Sequence, residues 1–125
     1  MIKKTLPLTK IQKSISYKFT NTKLLEQALI HRSFGNENRS HLSLSNRDNE
    51  RFEFLGDSII DFLVSELIME VYPDASEGEL SKIRATIVND RHLAQIARTL
   101  DIGSVLLLGK GEEGTGGRDK ESILA

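Results

Sequence analysis

The run Asn49-Glu50-Arg51-Phe52-Glu53-Phe54-Leu55-Gly56-Asp57-Ser58 constrains this chain more than any other segment. Glu50, Glu53 and Asp57 stand at positions i, i+3 and i+7. At about 100° per residue, a helix brings their side chains within about 60° of one another. Asp61 continues the stripe. Most of the remaining circumference is apolar: Phe52, Phe54, Leu55, Ile59, Ile60, Phe62, Leu63, Val64, Leu67 and Ile68. A helix that is apolar nearly all round is ordinarily buried, so the run predicts a central buried helix from about Asp48 to Val71, ended by Pro73. Aligned, buried carboxylates repel one another and require protons or a cation. Hard oxygen donors in a chain without Cys point to Mg²⁺ or Mn²⁺. That combination suggests metal-assisted chemistry on phosphate.

A length of 125 residues accommodates one compact domain. The absence of Cys excludes disulfides, thiolate metal sites and a Cys nucleophile. The most apolar stretch, Ile59 to Val71, is short and broken by Asp61, Ser65, Glu66 and Glu70, so no membrane span is expected. Nothing resembles a signal-peptide core, and the sequence reads as cytoplasmic. The net charge of −1 favours no class of partner. Lys3, Lys4, Lys10, Lys13, Lys18 and Lys23 make the first 25 residues mildly basic, which suits a solvated face as well as a nucleic-acid contact.

Helical spacing of Leu8, Ile11 and Ile15 predicts a first helix. Thr20 or Asn21 caps a second, with Leu24, Leu25, Ala28 and Leu29 on its apolar face and a stop near Ser33 to Gly35. Residues 35–48 read as a loop. Ser76 and Glu79 have the spacing of a capping box, and a helix follows through Leu80, Ile83 and Ile87. Asn89-Asp90 predicts a break, after which Leu93, Ile96, Ala97 and Leu100 continue as helix to Gly103. The five glycines of 109–117 predict a mobile loop without a phosphate-cradle motif, leaving Lys110 or Arg118 as possible backbone contacts. Arg51 suits a buried structural ion pair, and Arg84 suits an acidic partner or a phosphate equally. His31 reads as structural, near a helix end.

The string Glu50 to Ser58 closely resembles the signature of the ribonuclease III nuclease-domain family. Leu29-Ile30-His31-Arg32-Ser33 is similar to the segment preceding that signature. Glu77-Gly78-Glu79-Leu80-Ser81-Lys82-Ile83-Arg84-Ala85 is similar to the second acidic element. Leu108-Gly109-Lys110-Gly111-Glu112 and Lys120-Glu121-Ser122-Ile123-Leu124-Ala125 resemble later elements. The matches keep their order from about residue 10 to the last residue.

The resemblance implies an all-α endonuclease domain, acting with Mg²⁺ (Mn²⁺ as a substitute) on double-stranded RNA. It implies 5′-phosphate and 3′-hydroxyl ends, and a role in processing ribosomal and other RNA precursors. It implies a homodimer in which Phe54 enters a socket on the partner. Glu53 and Asp57 match the acids that serve metal and chemistry; Glu50 and Glu77 match the edge of the same acidic cluster. Family members continue past this point with an Asp and, three residues later, a Glu that complete the metal site. On that basis residues 1–125 are expected to be a partial nuclease domain, incomplete at its C-terminus and without the double-stranded-RNA-binding domain. Weak or absent activity is expected of the chain alone.

Acids in the first turn of a helix gain typically about 0.3–1 kcal/mol from the helix dipole. That accounts for Glu50 and Glu53 but not for Asp57 or Asp61, two turns further in. A nucleotide pyrophosphohydrolase would need a downstream Glu-x-x-Asp, and a di-iron protein a Glu-x-x-His; both are missing. The alternative is a non-cleaving module that binds RNA or dimerises.

Overall fold

The computed structural model describes residues 8–125; Lys3 and Lys4 of the basic stretch lie outside the described residues. The fold is all-α. Its elements are α1 (Leu8–Ser14), α2 (Thr22–Ala28), α3 (Arg32–Asn38), α4 (Leu44–Arg47), α5 (Glu50–Val71), α6 (Glu77–Ile87), α7 (Asp90–Thr99), α8 (Lys110–Gly114) and α9 (Glu121–Leu124). Two 3₁₀ turns, Ile102–Val105 and Gly117–Asp119, join the last three helices. The nearest approach to a sheet among the described residues is a one-residue parallel bridge between Ile30 and Leu107.

The local signals set several boundaries. The Asn21 side chain accepts from Lys23 N and starts α2. Ser76 and Glu79 form the reciprocal capping box at α6. The Asn89 side chain accepts from His92 N, so the break between α6 and α7 is a cap. The second helix stops earlier than its periodicity suggested. The chain turns at Leu29, and Ile30 is fixed between two backbone bonds, Leu107 N to Leu29 O and His31 N to Leu107 O. His31 therefore starts α3 as its N-cap, accepting from Ser33 N, rather than ending α2. Part of the expected 35–48 loop is helical, in α3 and α4.

One core gathers Ile11, Leu25, Leu29, Ala94, Ala97, Val105, Leu106, Leu108 and Leu124, with Leu8, Ile15, Phe19, Ile102 and Ile123 packed against it. Short apolar faces from α1, α2, α7 and α9 close over the buried 105–108 segment. The glycine-rich segment is folded and not a mobile loop. A Cβ at Gly109 would lie 2.7 Å from Glu37 Oε1 and 2.8 Å from Ser33 O; at Gly117 it would lie 2.8 Å from Glu112 O. These glycines allow close approach of backbone, and Gly116 at φ 75° supplies the left-handed turn between them.

The expectation of a buried central helix is not met. α5 runs from Glu50 to Val71 with only Ile68 buried. Phe54, Leu55, Ile59, Ile60, Phe62, Leu63, Leu67 and Met69 are exposed. α5 packs chiefly against α6, where Arg84 Nη1 donates to Ser65 Oγ at 2.9 Å. Beyond its anchored first turn, α5 is covered chiefly on the α6 side among the described residues, and most of its apolar circumference is exposed.

Candidate functional site

The first turn of α5 is bolted to the end of α2. Gln27 Nε2 donates to the carbonyls of Ser45 (2.7 Å) and Asp48 (3.0 Å). Asn49 donates through Nδ2 to Ala28 O and through its backbone to Ile30 O. The buried Asp48 accepts from Glu50 N at 3.0 Å. A carboxylate at this place satisfies an amide that the helix leaves unpaired. These contacts fix the start of α5, where Glu50 and Glu53 border one point on the surface.

That point is a cleft of about 340 Å³ lined by His31, Arg32, Asn49, Glu50, Glu53, Glu112, Lys120, Ser122 and Ile123. α5 forms one wall, the start of α3 a second, and α8 with the start of α9 the third. Arg32 Nη1 lies 3.5 Å from Glu50 Oε1, a loose and exposed pair. Lys120 Nζ donates to Glu112 Oε2 and to Thr115 Oγ1, both at 2.9 Å. This bond holds the Glu112 carboxyl below the usual carboxylate range; the charges of Lys120, His31 and Arg32 act in the same direction, and burial acts against them. The His31 ring is engaged through Nδ1 with Ser33 Oγ at 2.7 Å. Glu53 makes no hydrogen bond or ion pair among the described residues.

Of the residues read from the sequence, Glu50 and Glu53 share this cleft. Asp57 stands one turn further along α5, exposed and outside the lining. Glu77, the first residue of α6, accepts from Ser81 Oγ at 2.9 Å and also lies outside it. Phe54, 80% exposed, borders a separate hollow of about 560 Å³ with Ser45, Glu50, Arg51, Phe52 and Leu55. Arg51 is exposed and has no ion pair among the described residues, contrary to the buried pair expected of it. Arg118 is committed to structure: it grips Glu113 through Nε and Nη2, and its Nη1 donates to Gly103 O and Leu106 O. Glu112 and Lys120 are the residues that sequence reasoning missed. They sit about sixty residues from Glu53, and only their place inside matching segments hinted at them.

The lining carries three carboxylates, from Glu50, Glu53 and Glu112, together with the His31 ring and the cations Arg32 and Lys120. No group of three or more such ligands converges on a point among the described residues.

The ribonuclease-III-like family model matches residues 21–125. Ribonuclease 3 of Syntrophobacter fumaroxidans is 48% identical over 118 residues, covering 94% of this chain and 48% of that protein. Ribonuclease 3 of Bacillus cytotoxicus is 48% identical over 114 residues, covering 91% of this chain and 45% of that protein. The chain thus spans about half the length of the curated relatives it matches. The nuclease domain of ribonuclease III from Campylobacter jejuni superimposes with a TM-score of 0.82 at 38% identity, covering 94% of this chain and 76% of that one. A second structure of that domain gives a TM-score of 0.82 at 39% identity, covering 94% and 74%.

Proposed function

Because the chain belongs to the ribonuclease-III-like family, we propose that it is the nuclease portion of an endoribonuclease that cleaves double-stranded RNA with a divalent cation. The observation that carries this reading is Glu53: an exposed carboxylate bordering a cleft beside Glu50 and Glu112, with no partner of its own among the described residues. Neighbouring carboxylates repel one another, and a cation between them relieves that repulsion. Glu53 would hold Mg²⁺ (or Mn²⁺), with Asp57 next on the same helix and Glu50 and Glu77 as outlying acids. When bound, the metal would offset phosphate charge and acidify a water, giving 5′-phosphate and 3′-hydroxyl ends. Gln27, Asp48 and Asn49 anchor the start of α5, which carries Glu53, and Arg32 offers a cation at the cleft edge to a phosphate. Precursors of ribosomal and other RNAs, processed in the cytoplasm, are the proposed substrates. Among the described residues no helix is long and apolar enough to cross a membrane.

The exposed Phe54 and its neighbouring hollow support a homodimer in which each Phe54 fills the partner's hollow. A solved relative points the same way, being described as having a region involved in dimer formation. Phe54→Ala should leave the fold intact and shift sedimentation toward monomer. A monomeric chain at high concentration would reject this part.

The test of activity is cleavage of duplex RNA in Mg²⁺ and in EDTA. Slow, metal-dependent cleavage at high enzyme concentration is expected, and Glu53→Gln should reduce it by about a hundredfold or more. Cleavage that survives EDTA, or is indifferent to Glu53→Gln, would overturn the proposal. The lack of a converging three-carboxylate group favours one second reading, a module that binds or dimerises without cutting; RNA binding with no cleavage at any Mg²⁺ concentration would establish it.

A further inference from the structure

The His31 ring lines the cleft, and only one of its nitrogens is spent on the fold. Nδ1 lies 3.2 Å from Ser33 N and 2.7 Å from Ser33 Oγ. Nε2 has no partner among the described residues. It is also open to solvent, because among those residues Arg47 Nε is the one side-chain polar atom both buried and unpartnered. We infer that His31 is a substrate-binding residue, presenting Nε2–H as a fixed hydrogen-bond donor to a phosphate oxygen of RNA. The inference rests on the proposed RNA substrate and involves no metal ion.

The backbone decides where the ring proton sits. An amide N–H can only donate, so Nδ1 must offer its lone pair to Ser33 N. The neutral ring then carries its proton on Nε2, and a cationic ring carries one there as well. Turning the ring over would set a carbon against Ser33 N and lose both contacts. The partner is itself held from outside α3: Gly109 N donates to Ser33 Oγ at 2.9 Å, and His31 N donates to Leu107 O. His92 shows the opposite case. Its Nδ1 lies 2.7 Å from Ile87 O, which can only accept, so the neutral His92 ring holds its proton on Nδ1.

Helix starts favour Ser, Thr, Asp or Asn, each of which brings an accepting oxygen. His31 does that work through Nδ1 and keeps a donor on the other side of the ring. The amides of α3 are not the site. Ser33 N is spent on Nδ1, and Phe34 N and Gly35 N donate to His31 O. The surrounding charges suit an anion beside the ring. Arg32, the next residue, is exposed and meets Glu50 only at 3.5 Å, while Lys120 holds Glu112. Two of the three carboxylates of the cleft therefore have counter-ions. Duplex RNA is contacted largely through phosphates and 2′-hydroxyls. The charge of Arg32 favours the phosphate, and a donor facing it makes a charge-assisted bond.

Two measurements on the 125-residue chain test this, each with a short RNA duplex at low salt, with and without Mg²⁺. The first is a long-range ¹H–¹⁵N spectrum of the histidine rings at mildly alkaline pH, assigned through His41→Gln and His92→Gln. Free His31 should show a protonated Nε2 and a bare Nδ1. RNA should move His31 Nε2 and leave the His92 ring in place, and a 2′-fluoro duplex should do the same. A proton on Nδ1 of His31, an Nε2 indifferent to RNA, or a response lost with the 2′-fluoro duplex overturns the inference. The second is the affinity of His31→Asn, which keeps an accepting oxygen for Ser33 N and removes Nε2–H. It should bind the duplex about three- to tenfold more weakly, with its melting temperature unchanged or raised. Affinity that falls only together with stability marks a cap and nothing more, and overturns the inference. Should His31→Asn fail to fold, the ring spectra decide without it. A parent chain that binds no duplex RNA with or without Mg²⁺ defeats the proposed function and this inference together. Binding by the parent that His31→Asn leaves unchanged defeats only the role of His31.

Discussion

α7 and α5 both present apolar residues, and those residues end in opposite environments. α7 buries Ala94 and Ala97 against the core and turns Arg91, Gln95 and Arg98 to water. α5, more than twice as long, buries Ile68 alone. The difference lies in the surfaces opposite. α7 meets α9, the 105–108 segment and α6, each presenting a narrow apolar face. α5 meets α6 on one side, and most of its remaining apolar surface is exposed among the described residues. An apolar stripe buries itself; an apolar cylinder needs several partners. Exposed patches of this size are characteristic of interaction surfaces, which is why the same helix carries both the acidic cleft wall and the proposed dimer contact.

The sharpest way to break this comparison is truncation on each side. Ile30 is 1% exposed and sits between two backbone bonds to the 107 segment. Ile30→Ala should cost about 2–5 kcal/mol, from lost burial and the cavity left behind. Phe62, a larger side chain but 64% exposed, should cost less than about 1 kcal/mol as Phe62→Ala. Urea denaturation at low protein concentration measures both. Equal costs would mean that α5 is covered in solution, and a Phe62→Ala penalty growing with concentration would identify a second copy as the cover.

Glycine gives the next contrast. A methyl at Gly109 would stand 2.8 Å from the Ser33 backbone oxygen, where little can yield. Gly109→Ala should cost about 1–3 kcal/mol. Gly56, inside α5, has nothing within 4 Å of a built Cβ. Gly56→Ala should stabilise the chain by about 0.5–1 kcal/mol, by helix propensity alone. Thermal melts of the two variants should move in opposite directions. A loss at Gly56 would place an unseen surface against that face of α5.

Signals that act within a few residues were legible before folding. The end of α5 at Val71, the Ser76–Glu79 capping box and the break at Asn89 all depend on local chemistry and stand where the spacing put them. Burial did not follow from periodicity, because an all-round apolar pattern says nothing about how many neighbours exist. The turn at Leu29 depends on Leu107, far along the chain, so the second helix was drawn too long. The five-glycine segment looked mobile because glycine is permissive; here it permits close packing instead. At the cleft, Glu50 and Glu53 were readable from one helix. Glu112 and Lys120 arrive through tertiary packing, and neither carries a spacing signal linking it to Glu53.

Whether the exposed pair of helices depends on local caps for its order, as a region with little burial should, is tested at Ser76. Ser76 accepts from Glu79 N through its hydroxyl, and Ser76 N donates to the Glu79 carboxylate at 2.7 Å. That backbone bond is the main reason the Glu79 carboxyl lies below the usual carboxylate range; the Ser76 hydroxyl adds to it, and burial opposes it. A depressed folded value means the contribution is present above the unfolded carboxylate value and is lost as pH falls through the folded one. Ser76→Ala removes the hydroxyl and keeps the backbone donor. It should cost about 1 kcal/mol at neutral pH and move the Glu79 titration part of the way back up. Carboxyl NMR shifts followed through an acid titration, beside melts at neutral and strongly acid pH, check both. The deficit of Ser76→Ala relative to the parent should shrink in acid, where the Glu79 half of the box is already lost in both proteins. A deficit that stays constant down to strong acid would show that the two halves of the cap act independently and that α6 takes its order from α5 instead.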